Sequence, residues 1–392
     1  MQENDYFCSQ NSKKLKINGI YIHLLALLLL VACGQKKQET VVTPWGEIAD
    51  TIPDDDNFDL DDIQRNGELI ALTLTGPETY YDYHGRHLGA QYLLCQRFAD
   101  QLGVSLRMEV CRDTAEMRQR LADGEADLIC YPLSKEGAGW IVGADKDDLK
   151  QELEAWYKPK MLEEVKKQES YLLSSRAVKR RVFSPMLDRA GGVISHYDGL
   201  FQHYASTIRW DWRLMAAQCY QESTFDPQAR SWAGACGLMQ IMPATADHLG
   251  LARADIYDPE KNIAAAARLL GELEQSFSDI RDRNERIKFV LASYNGGGFH
   301  IRDAMRLAEK NERNPQRWAD VEPYVLGLAK PEYYNDPVVR SGYMRGSETV
   351  DYVRKIHERW NNYRGVKTIH SVTAPSGIPQ KAKRERKSKY QI

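Results

Sequence analysis

Near residue 190 this 392-residue chain changes the period of its hydrophobic pattern. Between residues 67 and 135 short apolar runs alternate with amphipathic stretches, whereas from Tyr197 onward the pattern is almost wholly helical. Two periods in one chain call for two domains, an α/β domain followed by a mainly α domain. At about 100–200 residues per domain, the length leaves room for two or three. In the first part, 68–75 (ELIALTLT) reads as a strand, 88–102 as a helix, 104–110 as a strand, 114–122 as a helix and 126–131 as a strand. Leu93, Leu94, Phe98 and Leu102 fall at helical spacing, and Gly103 closes that helix. The βαβαβ order predicts a parallel sheet with helices packed against it.

Charge narrows the function. Lys and Arg number 53 and Asp and Glu 55, for a net charge of −2. That balance excludes a strongly basic nucleic-acid binder. Eight Trp and 21 Tyr suit a sugar groove and an ordinary core equally well.

The N-terminus reads as an address. Residues 20–32 (IYIHLLALLLLVA) are too short for the ~20 residues that span a bilayer. Lys13, Lys14 and Lys16 precede them, as in a secretory signal. The run ends in Leu30-Val31-Ala32-Cys33-Gly34, which resembles the bacterial lipobox. The resemblance implies a signal over 1–33 and a lipid on Cys33, which anchors the protein to a membrane. Gly34 is not the Asp that retains such proteins at the inner membrane. The expected location is therefore the outer membrane, facing the periplasm. Residues 34–62, with Asp54-Asp55-Asp56 and Asp59, Asp61 and Asp62, read as an acidic flexible linker. Beyond Cys8 and Cys33 stand Cys95, Cys111, Cys130, Cys219 and Cys236, without metal-ligand spacing. Buried thiols are expected, one disulfide among them is left open, and no metal site is implied.

Within the first domain, Gly85, Gly89, Tyr92, Phe98, Ala99, Leu102, Gly103, Gly124, Ala126, Asp127 and Leu128 form an ordered series. The series resembles the first lobe of extracellular solute-binding domains of the amino-acid type. A closing segment at 140–142 and a helix at 147–156 follow almost directly on Ser134, so most of the second lobe is missing. A ligand cleft between lobes needs both walls. Residues 63–190 are therefore expected to be a truncated, one-lobed module with a helical connector, a spacer or a docking site for cell-wall enzymes.

In the helical domain, assigned to 191–365, Asp211 is a good N-cap for a helix over 212–223. Leu214, Met215 and Cys219 give this helix an apolar face, and Glu222 stands in its last turn. Burial and the negative end of the helix dipole both favour the protonated carboxyl there. A carboxyl kept protonated near neutral pH is suited to protonating a glycosidic oxygen. Asp226, before Pro227, reads as a turn former.

Glu222-Ser223 is followed by Ser231, Gly234-Ala235, Gly237-Leu238-Met239-Gln240-Ile241-Met242-Pro243, Tyr294-Asn295-Gly296-Gly297 and Glu348-Thr349-Val350-Asp351-Tyr352-Val353. This order resembles the soluble lytic transglycosylase domain, with its goose-type lysozyme-like helical fold, across about residues 198–363. The segment from Arg317 to Val353 further resembles membrane-bound lytic murein transglycosylases of the F type, which also carry an N-terminal solute-binding domain. The resemblance implies that Glu222 is the acid/base and that Ser231 holds either Glu222 or a substrate acetamido group. It implies that Gln240 and Met242 line the sugar groove, that Tyr294 and Asn295 lie near the cleaved bond, and that Glu348 and Tyr352 close the groove from the last helix. Leu238 and Met239 read better as core. Trp232 departs from the family, which usually has Pro or a small residue there.

Most glycosidases use two carboxylates; this pattern offers one. One acid fits lytic cleavage of the MurNAc-β-1,4-GlcNAc bond of peptidoglycan strands, yielding 1,6-anhydro-MurNAc ends without a cofactor. Lysozyme-type hydrolysis of the same bond, or a glycan-binding lipoprotein without catalysis, are the alternatives. The basic tail 366–392 reads as disordered.

Overall fold

The computed structural model describes residues 42–43, 46–47, 58–174 and 177–365. The signal segment with Cys33, most of the acidic stretch and the tail 366–392 lie outside the described residues. Strands β1 (Val42–Thr43) and β2 (Gly46–Glu47) pair antiparallel.

Helix α1 (Leu60–Asn66) begins inside the acidic run. The Asp59 carboxylate accepts from Leu60 N at 2.8 Å, and Asp59 N donates to the Asp62 carboxylate at 3.3 Å. The end of the expected linker is thus folded, because two of its acids form a capping box at the positive end of a helix.

Then come β3 (Glu68–Thr73), β4 (Tyr81–Tyr83), β5 (Arg86–Leu88), α2 (Ala90–Leu102), β6 (Ser105–Val110), α3 (Thr114–Ala122), β7 (Leu128–Ile129) and β8 (Ile141–Val142). The main sheet has the order β6-β3-β7-β8. β3 is parallel to β6 and β7, as the βαβαβ pattern requires, and β8 is antiparallel to β7. β7 is shorter than the apolar run 126–131 suggests. Asp127 turns its carboxylate back to accept from Ile70 N at 2.8 Å and to face Lys146 at 3.4 Å. Helices α4 (Asp147–Trp156) and α5 (Pro159–Leu172) cover the sheet. Leu69 and Ala71 of β3, Phe98 of α2, Leu149 of α4 and Val165 of α5 share one buried cluster. Cys95, Cys111, Cys130, Cys219 and Cys236 are all buried free thiols, so none of the five forms a disulfide.

β4 and β5 form a separate hairpin that the sequence pattern does not announce. Its turn, His84-Gly85, has φ of 47° and 69°. Two left-handed residues in a two-residue loop match the twist of antiparallel strands.

The second domain contains α6 (Asp198–Thr207), α7 (Trp212–Ser223), α8 (Pro243–His248), α9 (Pro259–Ser276), α10 (Arg283–Gly296), α11 (Gly298–Lys310), α12 (Trp318–Gly327), α13 (Pro331–Tyr334) and α14 (Gly346–Tyr363). Its core is one cluster drawn from nearly all of these helices. Helix α7 lies within it, with Leu214, Met215, Ala216, Ala217, Gln218 and Cys219 fully buried. A helix buried on nearly every side belongs at the centre of a bundle. Asp211 caps α7, accepting from Arg213 N at 3.0 Å, and also accepts from Trp360 Nε1 of α14 at 3.0 Å. One carboxylate thus starts the central helix and ties it to the last one.

The domains meet at a small apolar cluster. Tyr81 and Leu88 of the hairpin are buried with Tyr343, and Leu172, Leu173, Trp232 and Tyr334 pack around them.

Asn262 of α9 is fully buried. Its side chain accepts from Met239 N at 2.8 Å and donates to the Ile256 carbonyl at 2.8 Å and the Cys236 carbonyl at 3.1 Å. Asn262→Ala leaves Met239 N and the Ile256 carbonyl unpaired in the interior, while the Cys236 carbonyl keeps its bond from Ile241 N at 3.0 Å. It is expected to lower stability in urea unfolding by about 2–4 kcal/mol; a change below about 0.5 kcal/mol would contradict this role.

Candidate active site

Glu222 occupies the last turn of α7 and opens into a groove of about 860 Å3. The groove is also lined by Ser231, Gln240, Met242, Tyr294, Asn295, Glu348 and Tyr352. All eight residues singled out in this domain therefore reach one cavity, within the size range of ligand pockets.

The carboxyl of Glu222 is set by its surroundings. Burial pushes its pKa up to about 7; the Tyr352 hydrogen bond and the Arg180 guanidinium oppose that rise. Tyr352 donates to Glu222 Oε1 at 2.5 Å and accepts from Gln218 Nε2 at 3.2 Å. Gln218 stands one turn before Glu222 on α7, so helical spacing puts both on the face that meets α14. The relay Gln218–Tyr352–Glu222 holds one oxygen and leaves the other without a protein partner among the described residues.

The end of α7 is fixed by unusual backbone. Thr224 and Phe225 have φ of 55° and 62°, uncommon for residues other than glycine. Their neighbours hold them there. The Thr224 hydroxyl donates to the Arg181 carbonyl at 2.7 Å. The buried Asp226 carboxylate accepts from Arg181 N at 2.6 Å and Gln228 N at 3.0 Å. Asp226 is thus a turn former, as expected, and it also binds the connector. Arg180 in turn donates to the Glu222 carbonyl at 3.1 Å. The connector expected to be helical thus folds, at Arg180 and Arg181, against the end of the helix that carries the candidate acid.

Several expected roles change in detail. Ser231 forms no bond to Glu222; its hydroxyl accepts from Ala235 N at 3.0 Å and shapes the loop. Gln240, at φ 51°, donates its amide protons to the Gly237 and Ala229 carbonyls at 2.9 and 3.2 Å, which leaves its carbonyl oxygen for a ligand. Tyr294 donates to the Met239 carbonyl at 2.7 Å, and burial pushes its phenol far up. Asn295 accepts from the Thr349 hydroxyl at 2.8 Å, leaving its amide protons free of a protein acceptor among the described residues. A Cβ on Gly296 would stand 2.3 Å from Met344 Cε and 2.5 Å from Thr349 Oγ1, so glycine permits this approach of α10 to α14. Leu238 and Met239 are core, as expected.

Glu348 differs most. Its Oε2 accepts from Tyr83 of the hairpin at 2.8 Å, and its Oε1 accepts from Arg345 at 2.8 Å. Both oxygens are engaged by protein donors, so Glu348 closes the groove by anchoring another part of the chain. Trp232 stacks on the same Tyr83, with centroids 6.0 Å apart and planes 6° from parallel. The unusual tryptophan therefore has a partner in the first domain. Phe299, on the groove and 82 % exposed, was also missed by the sequence reading; its only signal is an aromatic placed directly after Gly296-Gly297-Gly298.

Residues 199–316 match the family model of the transglycosylase SLT domain. The helical part of the chain is a lysozyme-like SLT domain. Among solved structures, it is similar to the lytic transglycosylase Slt from Pseudomonas aeruginosa, at 21% identity over 43% of this chain and 24% of that one, with a TM-score of 0.32. It is similar to the 70 kDa soluble lytic transglycosylase from Escherichia coli at 26% identity, over the same shares, with a TM-score of 0.30. The chain thus spans about a quarter of the length of these enzymes. The N-terminal α/β part resembles a solute-binding domain: the arginine-bound form of domain 1 from TmArgBP matches at 19% identity, over 26% of this chain and 98% of that one, with a TM-score of 0.22.

The raised pKa of Glu222 has a thermodynamic consequence. Below the unfolded pKa, about 4.5, the carboxyl is protonated in both states. Between about 4.5 and about 7 the folded state binds more protons than the unfolded one, so stability falls as pH rises. Wild type is expected to lose up to about 3 kcal/mol relative to Glu222→Gln between pH 4 and pH 8 in paired urea unfolding curves. A parallel pH dependence of the two proteins would contradict the shift.

Proposed function

We propose that this protein is a peptidoglycan lytic transglycosylase that cleaves the MurNAc-β-1,4-GlcNAc bond and leaves 1,6-anhydro-MurNAc ends. The observation that carries the reading is that Glu222 is the groove carboxyl that burial holds in its protonated form. Its pKa is about 7. Of the other carboxylates there, Glu348 has both oxygens engaged, by Tyr83 and Arg345, and Asp82 has one oxygen on His87 at 2.7 Å, a hydrogen bond that holds its pKa below the usual value. Most inverting and retaining hydrolases use a second working carboxylate.

The steps follow from that single group. Protonated Glu222 donates its proton to the glycosidic oxygen, and the C1–O bond breaks with the GlcNAc hydroxyl leaving. The cation-like muramyl C1 is stabilised by its own 2-acetamido oxygen. Glu222, now a carboxylate, takes the proton from the muramyl C6 hydroxyl, whose oxygen closes on C1. Proton and bonds balance, and no water is consumed. Tyr352 holds the carboxyl in place through both protonation states, while the free amide protons of Asn295 and the free carbonyl of Gln240 offer hydrogen bonds to the sugar.

The wider reading is a membrane-bound enzyme of the F type, lipidated at Cys33, held at the outer membrane facing the periplasm and engaged in cell-wall remodelling. It rests on the lipobox-like Leu30–Gly34 segment, the pairing of the two domains and the motif at Glu348–Val353. In this reading residues 63–190 also serve as a docking module for cell-wall enzymes.

Glu222→Gln is expected to fold and to release no product from purified peptidoglycan. Wild type is expected to release muropeptides lighter by one water than the hydrolysed sugars, detected by mass spectrometry. Reducing muropeptides would make the enzyme a lysozyme, and near-wild-type activity in the variant would refute the assignment. Because the first step needs the protonated acid, kcat/KM is expected to fall about tenfold per pH unit above about pH 7; a fall beginning near pH 4.5 would contradict the raised pKa.

A further inference from the structure

The hairpin of the α/β domain ends inside the groove of the SLT domain. At its tip, a Cβ on Gly85 would lie 3.6 Å from Met242 Cε. Arg86 Nε donates to the Ala233 carbonyl at 3.1 Å. Tyr83 stacks on Trp232 and donates to Glu348. All four partners line the cavity and come from two separate segments: Trp232, Ala233 and Met242 belong to the loop after Glu222, and Glu348 to the start of α14.

The base of the hairpin is packed in place. Tyr81 and Leu88 are 3% and 1% exposed, and the Tyr81 ring meets Tyr343 edge-on at 5.0 Å. Tyr81 donates to Glu169 of α5 at 2.8 Å, and Tyr343 N donates to Thr75 Oγ1 at 3.1 Å. Interiors packed in this way have discrete arrangements and do not slide. Among the described residues the α/β part has one four-stranded sheet and no second lobe whose closure on a solute would move the hairpin.

We propose that the Tyr81–Leu88 hairpin is a fixed end wall of the sugar groove. The groove is blind at that end, a glycan strand enters by its terminus, and cleavage is exo, releasing one short product of constant length. The proposal rests on the transglycosylase reading above. It assigns Tyr83, His84 and Arg86 as specificity-determining residues supplied by the non-catalytic domain. A strand running past the wall would have to break the Tyr83–Glu348 bond and separate Tyr83 from Trp232.

The test uses the full chain and purified peptide-free glycan strands, with product lengths measured at low conversion by chromatography and mass spectrometry. Wild type is expected to give a single short anhydro species from the first time point. A variant with Tyr83→Ser, His84→Gly and Arg86→Ser removes the tip of the wall while keeping its register, and Gly suits the left-handed backbone at position 84. It is expected to give intermediate-length fragments at least tenfold more abundantly at equal conversion. If that variant does not fold, the double variant His84→Gly with Arg86→Ser, which keeps the Tyr83 contacts, is expected to show the same change to a smaller degree. Intermediate fragments from wild type at the first time point would overturn the proposal. So would folded variants that keep the single short product while turning over faster, because the hairpin would then be a lid and not a wall. Absence of any Glu222-dependent product from wild type is a distinct result and would remove both this proposal and the reaction on which it rests.

Discussion

The contact between Glu222 and Tyr352 is the point on which the site depends. It joins the end of α7 to the middle of α14, the two helices at the heart of the bundle. Burial alone would favour a neutral carboxyl of uncertain direction. The phenol fixes the direction, taking one oxygen and leaving the other towards the groove. Gln218 behind Tyr352, Trp360 bonded to the Asp211 cap, and Gly296 giving α10 room against α14 all keep these helices in register. The core therefore sets the acidity of its one useful carboxyl and the path along which that acid faces a ligand.

The second constraint lies between domains. A surface loop beside a cleft is ordinarily free to vary, yet here Trp232 is fixed by an aromatic side chain from the first domain. Glu348 is likewise held by Tyr83. The described α/β part is a sheet, its covering helices and a hairpin seated in its neighbour. In this arrangement Asp82, Tyr83, His84 and Gly85 of the hairpin are part of the groove itself. Arg180 and Arg181 extend the same theme, since the connector also binds the end of α7.

What was legible in the sequence follows from range. Helix α7, its Asp211 cap and the βαβαβ order depend on neighbours a few residues apart, and periodicity with capping residues shows them directly. The groove residues were found because their motifs stand in a characteristic order, although their individual bonds were not foreseeable. Ser231, Gln240 and Tyr294 each spend hydrogen-bonding capacity on loop carbonyls or amides, a matter of backbone path that residue type does not encode. The hairpin escaped notice because β4 and β5 have three residues each and a His-Gly turn, too short for a period to register. Its bond from Tyr83 to Glu348 spans 265 residues, beyond any local pattern. Trp232 was the one visible trace of that contact, present as a departure from the family with no local cause. The helix at 60–66 was hidden for another reason: acids that read as a solvated tether were acting as a cap.

The central claim is that the Glu222 carboxyl keeps its proton up to about pH 7, far above the ordinary range for glutamate, and infrared difference spectroscopy tests it most directly. The carbonyl stretch of a protonated carboxyl, assigned by subtracting the spectrum of Glu222→Gln, is followed from pH 4 to pH 9. The account predicts a band lost with a midpoint near pH 7. A midpoint near 4.5, the ordinary range for glutamate, would show that burial and Tyr352 leave Glu222 an ordinary carboxylate, and the acid would have to be sought elsewhere.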